Sequence, residues 1–308
     1  MDSILEISSV SQAFRTGFWL RPKLVLQRIS FKVPRKTIFG FLGANGAGKT
    51  TLIHLITGLR KPSQGSVKVL GYESTSAEAK SQIGYLPERP YFHEHLTGQQ
   101  LLEYFGTLAG MKPNRIQERI PSVLSAVRML DSRKVELKKY SKGMLQRIGI
   151  AQALLHDPEF LVLDEPMSGL DPMGRKEMRE LILKLAAEGR TIFFSSHVIP
   201  DVEAICAQAA LIQKGQIIGC GPIASFLPSN EDLIELIFSG ERLDLPQFKS
   251  ITETPVGYRA LVCGQKAIDE ILPILLEKKS KILGIQPIRP SLEDFFVKKG
   301  DSSIGATS

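Results

Sequence analysis

Residues 43–50 read GANGAGKT, a G-x-x-x-x-G-K-[ST] pattern that follows an apolar stretch and opens a helical one. Glycines at 43, 46 and 48 let the backbone curl so that successive N–H groups point inward. The loop as a whole, Gly43, Ala44, Asn45, Gly46, Ala47, Gly48, Lys49, Thr50 and Thr51, is therefore a candidate cradle for phosphates, helped by the positive end of the helix. Lys49 would reach the β- and γ-phosphates of a nucleoside triphosphate, and the Thr50 hydroxyl would hold Mg²⁺. By itself the loop says only that a triphosphate binds; a kinase acting on small molecules would share it.

Residues 160–171, FLVLDEPMSGLD, run from four apolar positions into Asp164 and Glu165. A buried strand would deliver both carboxylates at its C-terminal end, the edge where open α/β sheets bind ligands. Asp164 is the candidate partner of Mg²⁺. Glu165, expected to point the other way along the strand, can meet a water in line with the γ-phosphate and act as base or positioner. In a chain without a phosphate loop, the same pair would read as caps of the next helix. TIFFSSH, 191–197, repeats the design and sets His197 at the same edge, where a neutral imidazole can hydrogen-bond a γ-phosphate. Taken singly, such a histidine is more often a structural cap.

Strands alternating with helices are needed to position these tips. LEISSV, ISFKV and the nearly all-apolar TIFGFLG read as strands. Residues 97–130 carry apolar positions at helical spacing, within a helical insertion of about 89–157. Alternation resumes with FLVLDE, a helix from Asp171 to about Glu188, TIFFSS, a helix after Pro200, and the strands AALIQ and QIIGC. The expected fold is α/β, a layered domain over 1–221 with a largely parallel sheet. From Pro222 the pattern changes. EDLIELIFSG, GYRALVCG, AIDEILPILLEK and SLEDFFVKKG predict a small α+β extension over 222–300, in which Phe295 and Phe296 need a surface to pack on. Residues 301–308 are expected to be a flexible tail.

The 308 residues, 43% hydrophobic and 23% charged, suffice for a sizeable core. The net charge of +7 is spread in pairs such as Arg35–Lys36 and Lys138–Lys139 and forms no basic arm, so no nucleic-acid partner is expected. Cys206, Cys220 and Cys263 have neither metal nor redox spacing and fit a reducing compartment. MDSILEISSV lacks the marks of a signal peptide, and no apolar run approaches bilayer length. Work at a membrane would require another chain to span it. His93 and His95 have no further ligands nearby, which argues against zinc.

One stretch is left over. YSKGMLQR, 140–147, opens a helix at Ser141 but holds no acid, thiol or imidazole. Taken together with the glycine loop, the acidic strand end, SGLD and His197, in this order and spacing, it makes residues 4–220 resemble the ATP-binding subunit of an ABC transporter. The resemblance puts YSKGM in the place of the signature Leu-Ser-Gly-Gly-Gln, which contacts the γ-phosphate bound by a second ATPase subunit. It implies that Ser141 and Gly143 complete a neighbour's site through a helix N-terminus, with Tyr140, Lys142 and Met144 as departures. It matches Phe14 to the aromatic that stacks on adenine. Asp171, with the rest of SGLD, matches a loop that crosses the dimer interface. IGYLPE, 83–88, matches a loop that helps hold Mg²⁺ and meets the permease, with Glu88 where the family usually has Gln.

What the resemblance implies is an ATPase with ATP and Mg²⁺ as cofactors and Glu165, His197 and Lys49 as catalytic groups. A second ATPase subunit, identical or closely homologous, completes each site. A separate transmembrane permease turns the cycle into transport, which places the chain at the cytoplasmic face of the inner membrane. The aromatics of PYFHEHL, 90–96, are as ready to receive a helix of that permease as to pack on the chain's own insertion. RTGFWLRPKL, 15–24, with the single Trp19, reads as a hairpin packed on the sheet or a partner contact. The extension from Pro222 resembles that of bacterial drug, antibiotic, lipid and polysaccharide exporter ATPases, which implies export. It is expected to stabilise or regulate the dimer. The rival is an ABC ATPase acting on soluble macromolecular complexes; such chains usually carry long coiled coils or two ATPase halves, and neither is legible here.

Overall fold

The computed structural model describes residues 2–16, 21–226 and 233–287, together with residue 292. Trp19, Phe295, Phe296 and residues 301–308 lie outside the described residues. The chain divides between Ile223 and Ala224 into two compact units.

Two sheets build the first unit, where alternation alone had predicted one. LEISSV and ISFKV are parts of strands of 14 residues each, β1 (Ser3–Thr16) and β2 (Arg21–Pro34), paired antiparallel. Register shifts, as between Ile7 and Val10, interrupt their alternation and hide their length in the sequence. β1 also pairs antiparallel with β4 (Gln64–Val69), which carries the two-residue β5 (Tyr72–Glu73). The second sheet comprises β3 (Ile38–Leu42), β6 (Ile83–Leu86), β7 (Phe160–Leu163), β8 (Thr191–Ser196), β9 (Gln208–Gln213) and β10 (Gln216–Pro222). Its order is β10-β9-β3-β8-β7-β6, parallel except for β10 at the edge. β3, β7 and β8 are buried at every position, as their apolar runs require of parallel strands covered on both faces. Aromatic rings join the sheets: Phe31 of β2 stacks on Phe39 of β3 at 5.6 Å, and Phe39 on Phe193 of β8 at 5.8 Å.

Helix α1 (Lys49–Ile56) follows the glycine loop, and the short α2 (Ala77–Ser81) precedes β6. The insertion between β6 and β7 holds α3 (Gly98–Leu108), α4 (Pro113–Ala126) and α5 (Lys142–Leu154). Thr97 and Gln100 form a reciprocal capping box that starts α3. After β7 comes α6 (Pro172–Ala187), with Asp171 as its N-cap and Pro172 in its first turn, and after β8 comes α7 (Ile199–Ile205). Two helices approach the sheet closely over glycines. A Cβ on Gly40 of β3 would stand 2.6 Å from Val202 Cγ1 of α7. One on Gly84 of β6 would run into the Ala153 carbonyl of α5 and stand 2.7 Å from Leu161 Cδ2.

The second unit is an antiparallel sheet of β11 (Leu233–Ser239), β12 (Phe248–Thr254), β13 (Gly257–Cys263) and β14 (Lys281–Pro287), in the order β12-β13-β11-β14. One helix, α8 (Gly264–Glu277), packs Ile268, Ile271 and Leu275 against Leu236, Phe238, Ala260 and Val262. Pro273 lies inside α8.

The close approach at Gly84 can be measured. We expect Gly84→Ala to destabilise the first unit by about 1–3 kcal/mol, the usual cost of forcing extra volume into a packed core. A lower urea midpoint would register it. An unchanged midpoint would mean that α5 can withdraw from β6 freely.

Candidate active site

β3, β8 and β7 are neighbours and parallel, so their C-terminal ends open on one edge of the sheet. The glycine loop leaves β3, Asp164 and Glu165 leave β7, and His197 leaves β8. Within the loop, Gly46 (φ 78°) and Gly48 (φ 110°) take left-handed backbone that favours glycine. No side chain caps the start of α1, so its first N–H groups stay available to an anion.

Lys49 is 6% exposed. Its ammonium donates to the carbonyls of Gly43 at 2.7 Å and Ala44 at 3.3 Å and stands 3.1 Å from Glu165 Oε1. The other oxygen of Glu165 lies 2.9 Å from His197 Nδ1. Lys49, Glu165 and His197 thus form one polar chain across the three strand ends.

Glu165 does not continue the strand as expected. β7 stops at Leu163, and Glu165 takes φ 48°, a left-handed turn. A buried hydroxyl supports this turn. Glu165 N–H donates to Ser195 Oγ at 2.9 Å, and Ser195 Oγ donates to Asp164 Oδ1 at 2.6 Å. Backbone of this kind costs a non-glycine residue about 1–3 kcal/mol and persists only where the surroundings hold it.

Asp164 is 1% exposed. Burial pushes its carboxyl above the usual carboxylate range; the hydroxyls of Ser195 and Thr50 pull it back, and the charges of Glu165 and Glu88 push it further up. Asp164 Oδ2 is buried and makes no hydrogen bond of regular geometry. An orphaned carboxylate oxygen beside the Thr50 hydroxyl suits a hard cation. Among the described residues, no group of three or more His, Cys, Asp or Glu forms a metal cage. A cation here would draw its other ligands from phosphate and water, as Mg²⁺ commonly does.

An open cleft of about 460 Å³ brings together Asn45, Gly46, Gly48, Lys49, Thr50, Thr51, Glu88, Glu165 and His197, with Val25 and Ser168 beside them. Phe14, Gly43, Ala44, Ala47, Ser141, Gly143, Asp164 and Asp171 do not line it. Phe14 lies on β1 with the Arg60 guanidinium over its ring, 4.7 Å from the centroid. Asp171 Oδ1 accepts from Gly174 N–H at 2.9 Å. Ser141 caps α5, its Oγ accepting from Met144 N–H at 3.3 Å, which leaves the hydroxyl proton free to donate. At Gly143 a Cβ would meet nothing nearer than 3.8 Å, so packing within this chain does not require a glycine there. The Lys142 ammonium lies against Gly169 of SGLD. Sequence reasoning missed Ser195 and Val25. Only Ser195 left a signal, a hydroxyl buried at the end of an apolar run.

A family model described as "ABC transporter" matches residues 26–168. An uncharacterized ABC transporter ATP-binding protein of Synechocystis sp. is 38% identical over 302 residues, spanning 96% of this chain and 84% of the relative. The bacitracin transport ATP-binding protein of Bacillus licheniformis is 35% identical over 293 residues, spanning 91% of this chain and 94% of the relative. Among solved structures, a Clostridium perfringens protein that is part of an ABC transporter complex superposes with a TM-score of 0.63 at 26% identity, covering 72% of this chain and 89% of that one. With the glycine loop, the acidic strand end and the histidine tip converging on one cleft, the chain belongs to the ABC transporter ATP-binding proteins and is an ATP-hydrolysing subunit of a transporter.

Proposed function

We propose that this subunit powers export through a separate membrane permease, as one half of an ATPase dimer. In that dimer each ATP lies between the glycine loop of one chain and the Ser141 helix end of the other. The observation that carries the hydrolytic part is the Lys49–Glu165–His197 chain across three strand ends. The dimeric part is supported by Ser141, whose hydroxyl keeps a free proton, and by Gly143, a glycine in a helix that its own chain does not require. The relative named for bacitracin transport matches this chain in both units and supports a transport task. Export itself rests on the likeness of the C-terminal extension to those of exporters. The relatives are named as transporter subunits, which does not favour work on soluble complexes.

The proposed roles combine this geometry with the family resemblance. The N–H groups of residues 43–51 and Lys49 would grip the β- and γ-phosphates, Lys49 exchanging carbonyl oxygens for phosphate oxygens. Phe14, which carries the Arg60 guanidinium over its ring, would stack on adenine as the family's aromatic does. Thr50 and Asp164, with Glu88, would hold Mg²⁺, which neutralises charge between the β- and γ-phosphates. Glu165 would orient a water on the γ-phosphorus and accept its proton as the bond to ADP breaks. His197 would fix Glu165 and donate a hydrogen bond to the γ-phosphate. Asp171 would act across the dimer interface. No described helix is long and apolar enough to cross a membrane; the chain would sit on the cytoplasmic face, held by its permease.

Glu165→Gln should keep ATP binding and lower turnover by about 10²–10⁴-fold, the usual contribution of a general base, while ATP-bound dimers accumulate. Near-normal ATPase activity would show that another group handles the water. Ser141→Arg should block dimer closure on ATP and leave nucleotide affinity of the monomer intact, whereas Lys49→Ala should weaken that affinity. Loss of monomeric binding in Ser141→Arg would sink the shared site. For Asp164 the sign follows from its raised pKa. The ionised carboxylate costs stability fully above its raised folded pKa, and this cost fades as pH falls from there to the unfolded value. Asp164→Asn should therefore raise the thermal midpoint of the nucleotide-free protein near neutral pH, with the gain shrinking in acid, and abolish Mg²⁺-dependent turnover. A lower midpoint at neutral pH would contradict the proposed burial cost.

A further inference from the structure

α7 has seven residues, and no side chain caps it at Val198. A helix that short does not hold itself. Yet it begins two residues after His197, so whatever fixes α7 also fixes the imidazole. Two contacts hold the backbone between them. Ser196 Oγ accepts from Val198 N–H at 2.9 Å, and Asp201 N–H donates to the Val198 carbonyl at 3.2 Å. A third ties the helix to its neighbour. The Asp201 side chain, 4% exposed, places Oδ2 3.2 Å from Arg175 and Oδ1 3.0 Å from Arg179. These arginines stand one turn apart on α6 and share a face. α6 follows the loop that starts at Glu165. The helix after the histidine is thereby tied to the helix after the glutamate. Glu165, Arg175, His197 and Asp201 line one narrow crevice.

A carboxylate buried between two guanidiniums adds little stability over apolar packing of the same volume, because desolvation offsets the attraction. What it does set is geometry. We infer that Asp201, through Arg175 and Arg179, is a positioning group that holds His197 against Glu165 for ATP hydrolysis. The inference rests on the roles proposed above for Glu165 and His197. Asp201 touches no substrate and acts only through the histidine.

The test is a set of purified full-length variants assayed for ATP turnover and nucleotide affinity. Asp201→Asn should lower kcat by about ten- to a hundredfold, as small misplacements of a reacting group do, with ATP affinity unchanged. Asp201→Glu, which keeps the charge, should recover part of the loss. In a His197→Ala background, Asp201→Asn should cause no further loss, because both changes remove the same contribution. Equal losses in both backgrounds, or a normal kcat in Asp201→Asn, would overturn the inference. If Asp201→Asn fails to fold by its urea midpoint, Arg175→Gln takes its place, since Arg179 still pairs Asp201. It should show a smaller but measurable kcat loss with the same dependence on His197, and a normal kcat would overturn the inference. The underlying proposal fails separately: full turnover in His197→Ala would remove the histidine's role. A crippled His197→Ala beside a normal Asp201→Asn would remove only that of Asp201.

Discussion

A single buried hydroxyl decides how this site is built. Ser195 sits on the strand between the phosphate loop and the acidic strand end, fully enclosed, and bonds to both residues of the acidic pair. It accepts the Glu165 N–H just past the end of β7, where that residue takes left-handed backbone. By donating to Asp164 it occupies one carboxylate oxygen and leaves the other unpaired. Two neighbouring acids in one sequence thus meet different surroundings beside one side chain on an adjacent strand. Low local dielectric makes such a bond strong, and equally makes its loss costly.

The rest of the first unit keeps that arrangement in register. Parallel pairing of β3, β8 and β7 sets the three tips side by side, and stacked phenylalanines fasten the antiparallel sheet to the strand that carries the glycine loop. Charged ties link the helices outside the sheet. Arg147 of α5 pairs with Glu177 of α6, and α6 pairs with α7 through Asp201. The helix that opens at Ser141 and the helix that follows His197 therefore both lean on α6.

Much of this was legible in the sequence, and the reasons are physical. β3, β7 and β8 are buried on both faces, so their apolar runs announced both strand and edge. Asp171 and Pro172 marked the start of α6 because capping is a local interaction. Whatever depends on distant partners was not legible. The length of the β1–β2 hairpin was hidden by register shifts, and QGSVKV, rich in small and polar residues, did not stand out as β4. Strand alternation gave no sign of the left-handed turn at Glu165, whose N–H donates to a hydroxyl thirty residues away. No pattern in SSHVIPDVE indicated that Asp201 would be buried between two arginines from another helix.

The ammonium of Lys49 has a consequence for the energetics of the whole cleft. It is already neutralised from within, by Glu165 and two loop carbonyls. An entering triphosphate therefore does not meet a bare cation; it must displace an internal anion from it. The carboxylate released by that exchange is the one proposed above to orient the water. Ground-state affinity and catalytic readiness are coupled through one proton-rich nitrogen, and the protein carries its own competitive ligand, tethered at a fixed effective concentration.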